Sequence, residues 1–172
     1  MYKRQRISTA VSKYWVTKRA PYLVFEALEC HGGPGYIEES VMPRLYREAP
    51  LNSIWEGSGN VMCLDVLRAL QRDKNALPAL LKELDSAKGA NRNFDVSLAN
   101  LKSNLDSSKG IETEARLITE KMACLIQASI FIRSGQEEKI SAFCDSRLGP
   151  TWSGAFGTLS EGTNFDEIIG SF

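Results

Sequence analysis

The stretch HGGPGY at residues 31–36 decides how the first part of this chain folds. Before it, apolar residues recur at steps of three and four from Ile7 to Glu29, which predicts one long helix bent at Pro21. The glycines and the proline end that helix, because glycine tolerates a left-handed backbone and proline cannot continue a helix. The stretch therefore predicts a helix end followed by a tight turn.

Gly32, Gly33 and Gly35 also allow a second interpretation of this turn. Glycines let backbone N–H groups approach a phosphate closely. Alone, the pattern Gly-Gly-x-Gly is weak evidence for such a site, and a helix stop is the commoner explanation. Because the turn follows a helix and not a strand, the nucleotide-binding Rossmann fingerprint is excluded.

Two more helices are predicted before residue 74. The first is short, from Glu38 to Glu48, and is broken by Pro43. The second begins at Gly57-Ser58 and runs to about Arg72, with Ser58 or Asn60 as candidates to cap its exposed N–H groups.

Beyond a boundary at residues 73–75, the pattern predicts four further helices and no strand. Their apolar stripes run over residues 77–84, 94–105, 111–130 and 140–144. A Gly/Ser/Thr-rich tail follows, whose apolar residues predict that it drapes over the helices. The fold class predicted for the whole chain is therefore all-α.

Composition narrows the function without naming it. The 172 residues are 43% apolar and 24% charged, with a formal net charge of zero, so no global charge attracts nucleic acid or an anionic membrane. No apolar run approaches the ~18 residues of a membrane span. The four cysteines are scattered, without metal-ligand spacing. The cysteines are interpreted as buried, reduced thiols, which indicates a cytoplasmic protein. Neither a metal nor a membrane is expected as a partner.

Glu56 is the strongest candidate for chemistry. A carboxylate just ahead of a helix is usually a solvated acid that favours the helix dipole. However, an apolar wall such as Trp55 raises the proton affinity of a carboxylate, which suits a base that removes a proton from carbon. The glycines beside it admit a flat ring system, and the N-terminus of the following helix can hold negative charge on a carbonyl or phosphate oxygen. The residues alone leave both interpretations open.

Taken together, residues 32–36, Arg47-Glu48 and residues 55–58 resemble the C-terminal helical domain of acyl-CoA dehydrogenases, which are flavin enzymes. In that family the pattern is Gly-Gly-x-Gly-[Tyr/Phe], then Arg-Asp/Glu, then Tyr-Glu-Gly-Thr opening a helix. The resemblance covers about residues 7–73. Details between residues 38 and 68 are similar to the adaptive-response branch associated with DNA alkylation damage.

The resemblance implies how the chain is organised. Residues 6–74 would be part of the family's C-terminal helical domain, and residues 75–172 would be the extra helical domain of that branch. Residues 1–5 would be an artefactual or unstructured leader, and the chain a C-terminal piece of a longer protein. Such a piece is expected neither to bind FAD tightly nor to turn over alone.

The resemblance also implies roles for individual residues. Glu56 would take the α-proton of an acyl-CoA thioester while the flavin accepts hydride from the β-carbon. Around this base, the resemblance implies that FAD is contacted by Trp55, Gly57, Ser58 and Asn60. Gly32, Gly33 and Gly35 would approach the pyrophosphate of an FAD in a neighbouring subunit, which implies a homo-oligomer, a tetramer by family likeness.

Two departures from the family pattern and two alternatives accompany this interpretation. His31 stands where relatives often have an aliphatic residue. Glu29 stands where many relatives have a glutamine that helps to hold FAD, and an acid there repels a phosphate. Arg68 and Arg72 lie one helical turn apart and are the candidates for contacts with double-stranded DNA, in a protective flavoprotein with little turnover. A solvated helix end explains these arginines as well. The remaining alternative is a structural domain that mediates oligomer contacts.

Overall fold

The computed structural model describes residues 2–106 and 110–170, with side chains from residue 5 onward, and within these residues all regular structure is helical. The all-α prediction is confirmed. The helices are α1 (Tyr2–Cys30), α2 (Gly33–Tyr36), α3 (Met42–Glu48), a 3₁₀-helix (Ala49–Ser53), α4 (Gly59–Arg72), α5 (Ala76–Asp85), α6 (Arg92–Asp106), α7 (Ala115–Ser134), α8 (Glu137–Arg147) and α9 (Phe165–Ile169). The chain divides into two compact units, Met1–Asp73 and Lys74–Phe172.

The first unit is built on α1 and α4. Ile7 and Val11 of α1 and Cys63 and Val66 of α4 are fully buried where the two helices pack. Removing these side chains from water is the main stabilising term for such a pair. The packing fixes the N-terminus of α4, and with it the turn that contains Glu56, against the first half of α1.

Two predicted boundaries in this unit need correction. Helix α1 begins at Tyr2, so the backbone of residues 2–5 is helical and not an unstructured leader. Helix α3 begins at Met42 rather than at Glu38, with Pro43 in its first turn. Proline is tolerated there because the first N–H groups of a helix have no partner within the helix, so Pro43 starts this helix and does not break it.

The second unit packs α5, α6 and α8 against α7. Its core contains Phe94 and Leu101 from α6 and Ile118, Met122 and Leu125 from α7, all fully buried. The spacing of these residues is the one that predicted both helices.

Two details of the second unit differ from the sequence prediction. Helix α7 begins at Ala115, after a turn in which the N–H of Thr113 donates to the carbonyl of Gly110 at 2.9 Å. The tail covers the helices only in part, because Trp152 is half-buried whereas Phe165 is 51% and Ile169 68% exposed. Among the described residues, no helix has the length and apolar character required to cross a membrane.

Candidate functional site

Glu56 lies in the turn between the 3₁₀-helix and α4, in an unusual backbone conformation. Its φ is 52°, and it is the one non-glycine residue with a positive φ in the described part of the chain. A residue with a Cβ in this region carries steric strain of about 1 kcal/mol or more. Gly57 follows with φ 110°, which glycine adopts easily. The turn therefore needs contacts from outside itself to hold Glu56 in place.

Lys13 of α1 supplies such contacts. Its Nζ donates a hydrogen bond to the carbonyl oxygen of Trp55 at 2.9 Å and another to the carbonyl oxygen of Gly57. These two carbonyls flank Glu56 on either side. Hydrogen bonds from a charged donor are stronger than neutral ones. The backbone around the candidate base is thus tied directly to α1.

Gly59 anchors the other side of the turn, where α4 begins. It is buried, and a Cβ built on it would lie 2.6 Å from Cε of Lys18 and 3.4 Å from Cε2 of Tyr14. Glycine therefore allows the start of α4 to approach α1 closely. Ser58 occupies the N-cap position with an extended backbone, but its side chain makes no capping hydrogen bond, so of the two candidates Ser58 does not cap α4. Asn60 is exposed in the first turn of α4.

The side chains of this turn face outward. Glu56 is exposed, and Trp55, which was expected to form an apolar wall, is itself 57% exposed. An exposed aromatic ring beside a carboxylate offers a surface on which a flat ligand can stack. The arrangement leaves the carboxylate accessible to a molecule that arrives from outside the unit.

The three glycines of the first turn have three different structural roles. Gly32 has φ 61° and ψ −145°, a region that is essentially restricted to glycine. Gly33 has open space around it, since a Cβ there would have no atom within 4 Å. Gly35 is buried, and a Cβ on it would lie 2.3 Å from the carbonyl oxygen of Leu28. Gly35 is therefore required by packing inside the turn.

The N–H groups of this turn are partly committed to it. The N–H of Gly32 donates to the carbonyl of Glu29, and the N–H of Gly35 donates to the carbonyl of Gly32, each at 2.9 Å. These two N–H groups already have acceptors, so they are not the ones that would hold a phosphate. The open surface at Gly32 and Gly33 is what remains for a close approach to a ligand.

The structure does not bring Glu56 and the glycine turn together within the chain. The turn of Glu56 is bonded to Lys13, whereas the glycine turn follows Cys30 at the far end of α1. At 1.5 Å per residue, these positions are roughly 25 Å apart along the helix. If both contact flavin, they contact different parts of it or different molecules of it.

The Arg47-Glu48 motif is not an internal ion pair. Arg47 binds Glu38 with two hydrogen bonds, Nη1 to Oε1 at 2.7 Å and Nη2 to Oε2 at 3.2 Å. This bonding to Glu38 raises the pKa of Arg47 above its ordinary value. Glu48 instead lies 3.8 Å from Nε of Arg44. The partner of Arg47 is nine residues away, beyond the reach of a short motif.

Four basic residues of α1 and α4 fall into two groups according to their exposure. Lys13 and Lys18 are half-buried and take part in the packing of the turn against α1. Arg68 and Arg72 are exposed on α4, which leaves them available to a partner. Within the described residues, no group of three or more His, Cys, Asp and Glu side chains is placed to hold a metal ion.

Comparison with known proteins places this geometry in a family. Residues 2–71 match the family described as "Acyl-CoA dehydrogenase, C-terminal domain". Nearly all of the first unit therefore matches the C-terminal domain of acyl-CoA dehydrogenases. The resemblance inferred from the glycine turn and the Trp55–Ser58 step is confirmed at this level.

Similar proteins extend the likeness beyond that domain. The chain is 40% identical over 143 residues to "Putative acyl-CoA dehydrogenase AidB" of Escherichia coli (strain K12), a match over 83% of this chain and 26% of that protein. It is 38% identical over 103 residues to "Acyl-CoA dehydrogenase family member 11" of Caenorhabditis elegans, over 60% of this chain and 17% of that protein. The solved structure "Bd2924 apo-form" is 30% identical with a TM-score of 0.69, over 78% of this chain and 26% of that one. The chain thus spans about a quarter or less of the length of these relatives.

Proposed function

We propose that the first unit supplies the catalytic base, and part of the flavin-binding surface, of an FAD-dependent acyl-CoA dehydrogenase. One observation carries the proposal. The carboxylate of Glu56 is exposed at the N-terminus of α4, in a strained turn that Lys13 fixes from α1. Strained backbone that the surroundings hold in place is typical of functional sites. The match of residues 2–71 to the family's C-terminal domain supports the same assignment.

The residues around Glu56 fit a flavin. The ring of Trp55 is exposed, Gly57 presents no side chain, and Ser58 and Asn60 are exposed polar groups at the start of α4. These residues would hold FAD beside the base. The open backbone at Gly32 and Gly33 would face the pyrophosphate of an FAD in another protomer, with Gly35 shaping the turn. When bound, FAD accepts the hydride that leaves the β-carbon of the acyl chain.

Glu56 would act as a general base on the acyl-CoA substrate. Its carboxylate would take the α-proton of the thioester, a role that contributes roughly 10²–10⁴-fold to a rate. The backbone N–H of Glu56 would donate to the thioester carbonyl and stabilise the negative charge that develops there. The left-handed backbone conformation of Glu56 fixes the angle between the direction of its side chain and the direction of its N–H.

The second unit favours the adaptive-response branch. The family domain ends at residue 71, whereas the match to AidB over 143 residues must continue well into the second unit. We infer a flavoprotein of that branch, homotetrameric and cytoplasmic, in which residues 74–172 form the additional helical domain. The separation of Glu56 from the glycine turn along α1 supports sites that are shared between protomers.

The base assignment is tested in a protein of the relatives' length. Glu56→Gln keeps the shape of the side chain and removes the base, so reduction of an electron acceptor by acyl-CoA is expected to fall by at least about 100-fold. The absorbance of bound flavin should stay unchanged. Glu48→Gln, at the exposed end of α3, is the matched control and should keep full activity. Full turnover by Glu56→Gln would remove Glu56 from the mechanism.

DNA protection with little dehydrogenase turnover is the second candidate. The observation that favours it is the exposure of Arg68 and Arg72 one turn apart on α4. Arg68→Glu/Arg72→Glu should weaken a salt-dependent mobility shift with double-stranded DNA, without sequence preference. Arg44→Glu/Arg47→Glu is the control of equal charge. A shift that is unchanged by the first pair excludes those arginines.

A further inference from the structure

We propose that Lys13 is a positioning residue for the candidate base. Its ammonium group binds the carbonyl oxygens of Trp55 and Gly57, holds Glu56 between them in the left-handed conformation, and so sets the direction of the Glu56 carboxylate. The part of this inference that concerns catalysis rests on the proposed function. The part that concerns the backbone stands on the hydrogen bonds alone.

The geometry of the two hydrogen bonds is specific. An ammonium group has three donors, and two of them go to the carbonyls immediately before and after one residue. That residue is Glu56, the one described non-glycine residue whose φ is positive. A lysine that was only a solvated charge on α1 would not be expected to bind the carbonyls on both sides of this residue.

The position of Lys13 on α1 strengthens the constraint. Lys18, five residues further along α1, packs against Gly59. Helix α1 therefore contacts both the loop before α4 and the first residue of α4. The hydrogen bond from Lys13 to the carbonyl of Trp55 is exposed, whereas the one to the carbonyl of Gly57 is partly buried. A hydrogen bond from a charged donor that is partly shielded from water is worth more than an exposed one, so the bond to Gly57 is the stronger constraint. Both ends of the Glu56 turn are therefore fixed to the same rigid helix.

The backbone part is tested by hydrogen exchange of the 172-residue chain, with no flavin or substrate present. The N–H groups of Ile54 and Trp55 donate to the carbonyl of Leu51 at 2.9 and 3.3 Å, so their exchange reports opening of the turn. The N–H of Met62, which donates to Ser58 at 2.9 Å, is the reference within α4.

Three variants make this test decisive. Lys13→Met keeps the length of the side chain and removes its donors, so the N–H groups of Ile54 and Trp55 should exchange roughly tenfold faster while that of Met62 does not change. Lys13→Arg keeps the donors and should restore slow exchange. Lys88→Met, in an exposed turn of the second unit, should behave as the wild type. Unchanged exchange in Lys13→Met overturns the proposal.

If Lys13→Met does not fold, Lys13→Gln replaces it. The amide of glutamine is neutral and its nitrogen lies one bond closer to the backbone than Nζ of lysine, so it holds the two carbonyls less well. Exchange that is faster than in the wild type supports the proposal, and wild-type exchange overturns it.

The catalytic part is tested in the flavin-loaded protein of the relatives' length. Lys13→Met should lower kcat by roughly tenfold or more, with KM and flavin content changed less than about twofold, because a misdirected base affects the chemical step and not binding. Lys13→Arg should recover most of kcat. An unchanged kcat overturns the positioning role. Turnover retained by Glu56→Gln instead overturns the proposed function, while the exchange result continues to report on the backbone.

Discussion

The Nζ atom of Lys13 lies 2.9 Å from the carbonyl oxygen of Trp55, although 42 positions separate the two residues in the chain. This hydrogen bond joins the middle of a long helix to a turn that has no regular structure of its own. The conformation of Glu56 therefore depends on the packing of α1 against α4, because that packing sets the distance between Lys13 and the turn. A change in the packing of α1 against α4 would therefore also change the backbone conformation of Glu56.

The left-handed backbone at Glu56 predicts an unusual order of stabilities. Glycine has no Cβ and adopts φ 52° without strain, so Glu56→Gly should be more stable than Glu56→Ala by about 1 kcal/mol. At an ordinary helical position the order is reversed. Glu26, exposed in α1, is the matched site, and there the alanine variant should be the more stable by about 1 kcal/mol.

Urea denaturation of the four variants measures both differences. The same order at both sites, with alanine above glycine, would show that residue 56 is not held in the left-handed region in solution.

The turn glycines predict three different costs for one added methyl group. In Gly35→Ala the Cβ would meet the carbonyl oxygen of Leu28 at 2.3 Å, so the backbone must shift and the free energy of unfolding should fall by roughly 2 kcal/mol. Gly32→Ala should cost about 1 kcal/mol through its φ of 61°. Gly33→Ala has open space and should change stability by less than about 0.5 kcal/mol.

Thermal unfolding of the three variants tests this order directly. A Gly33→Ala variant as unstable as Gly35→Ala would contradict the open surface on which the proposed flavin contact depends.

The sequence predicted most of the helices because their signals are local. The apolar spacing of α6 and α8 and the stop at residues 31–36 depend on neighbours within a few positions, and the structure has these features. Pro43 is an exception, because proline breaks a helix when it lies in the interior but is tolerated when it lies in the first turn. The sequence alone does not show which position Pro43 occupies. The structure does, because α3 begins at Met42 and Pro43 therefore lies in its first turn.

The contacts of the candidate site were not predictable in the same way. Glu56 was identified from a local motif, but its left-handed conformation and its tie to Lys13 arise from packing between residues more than 40 positions apart. Nothing near Lys13 in the sequence signals a carbonyl partner. The pairing of Arg47 with Glu38 and the packing of Gly35 against Leu28 join residues that are closer in the chain, but they depend on how the chain turns after α1, which the local pattern does not specify.

The tail of the second unit is held by an indole hydrogen bond. Nε1 of Trp152 donates to Oε1 of Glu120 at 2.7 Å, and the guanidinium of Arg147 lies 4.5 Å from the centre of the Trp152 ring. Trp152→Phe keeps an aromatic ring and loses the hydrogen bond, so stability should fall by about 1–2 kcal/mol. Trp55→Phe, at an exposed ring, is the control and should change stability by less than about 0.5 kcal/mol.

Urea denaturation followed by circular dichroism measures both changes. Equal stability of Trp152→Phe and the wild type would mean that the tail does not depend on this bond.

The buried thiol of Cys144 predicts how stability depends on alkaline pH. Burial, together with the nearby charge of Asp145, raises the pKa of Cys144 from 9.0 to about 11. Between these values the unfolded chain has lost the thiol proton and the folded chain retains it, so the folded state binds more protons. Stability must then fall as pH rises from about 9 to 11, by on the order of 2 kcal/mol, and is unaffected by this group below pH 9.

Cys144→Ala should remove this part of the slope, and Cys30→Ala, which alters an exposed thiol, should retain it. Calorimetry in the presence of a reductant gives the melting temperature of each variant at several pH values from 8 to 11. Because other groups titrate equally in all three proteins, the difference in slope between Cys144→Ala and the wild type isolates the buried thiol. Parallel slopes for these two proteins would mean that Cys144 ionises as easily in the folded chain as in the unfolded one, and therefore that α8 does not bury it.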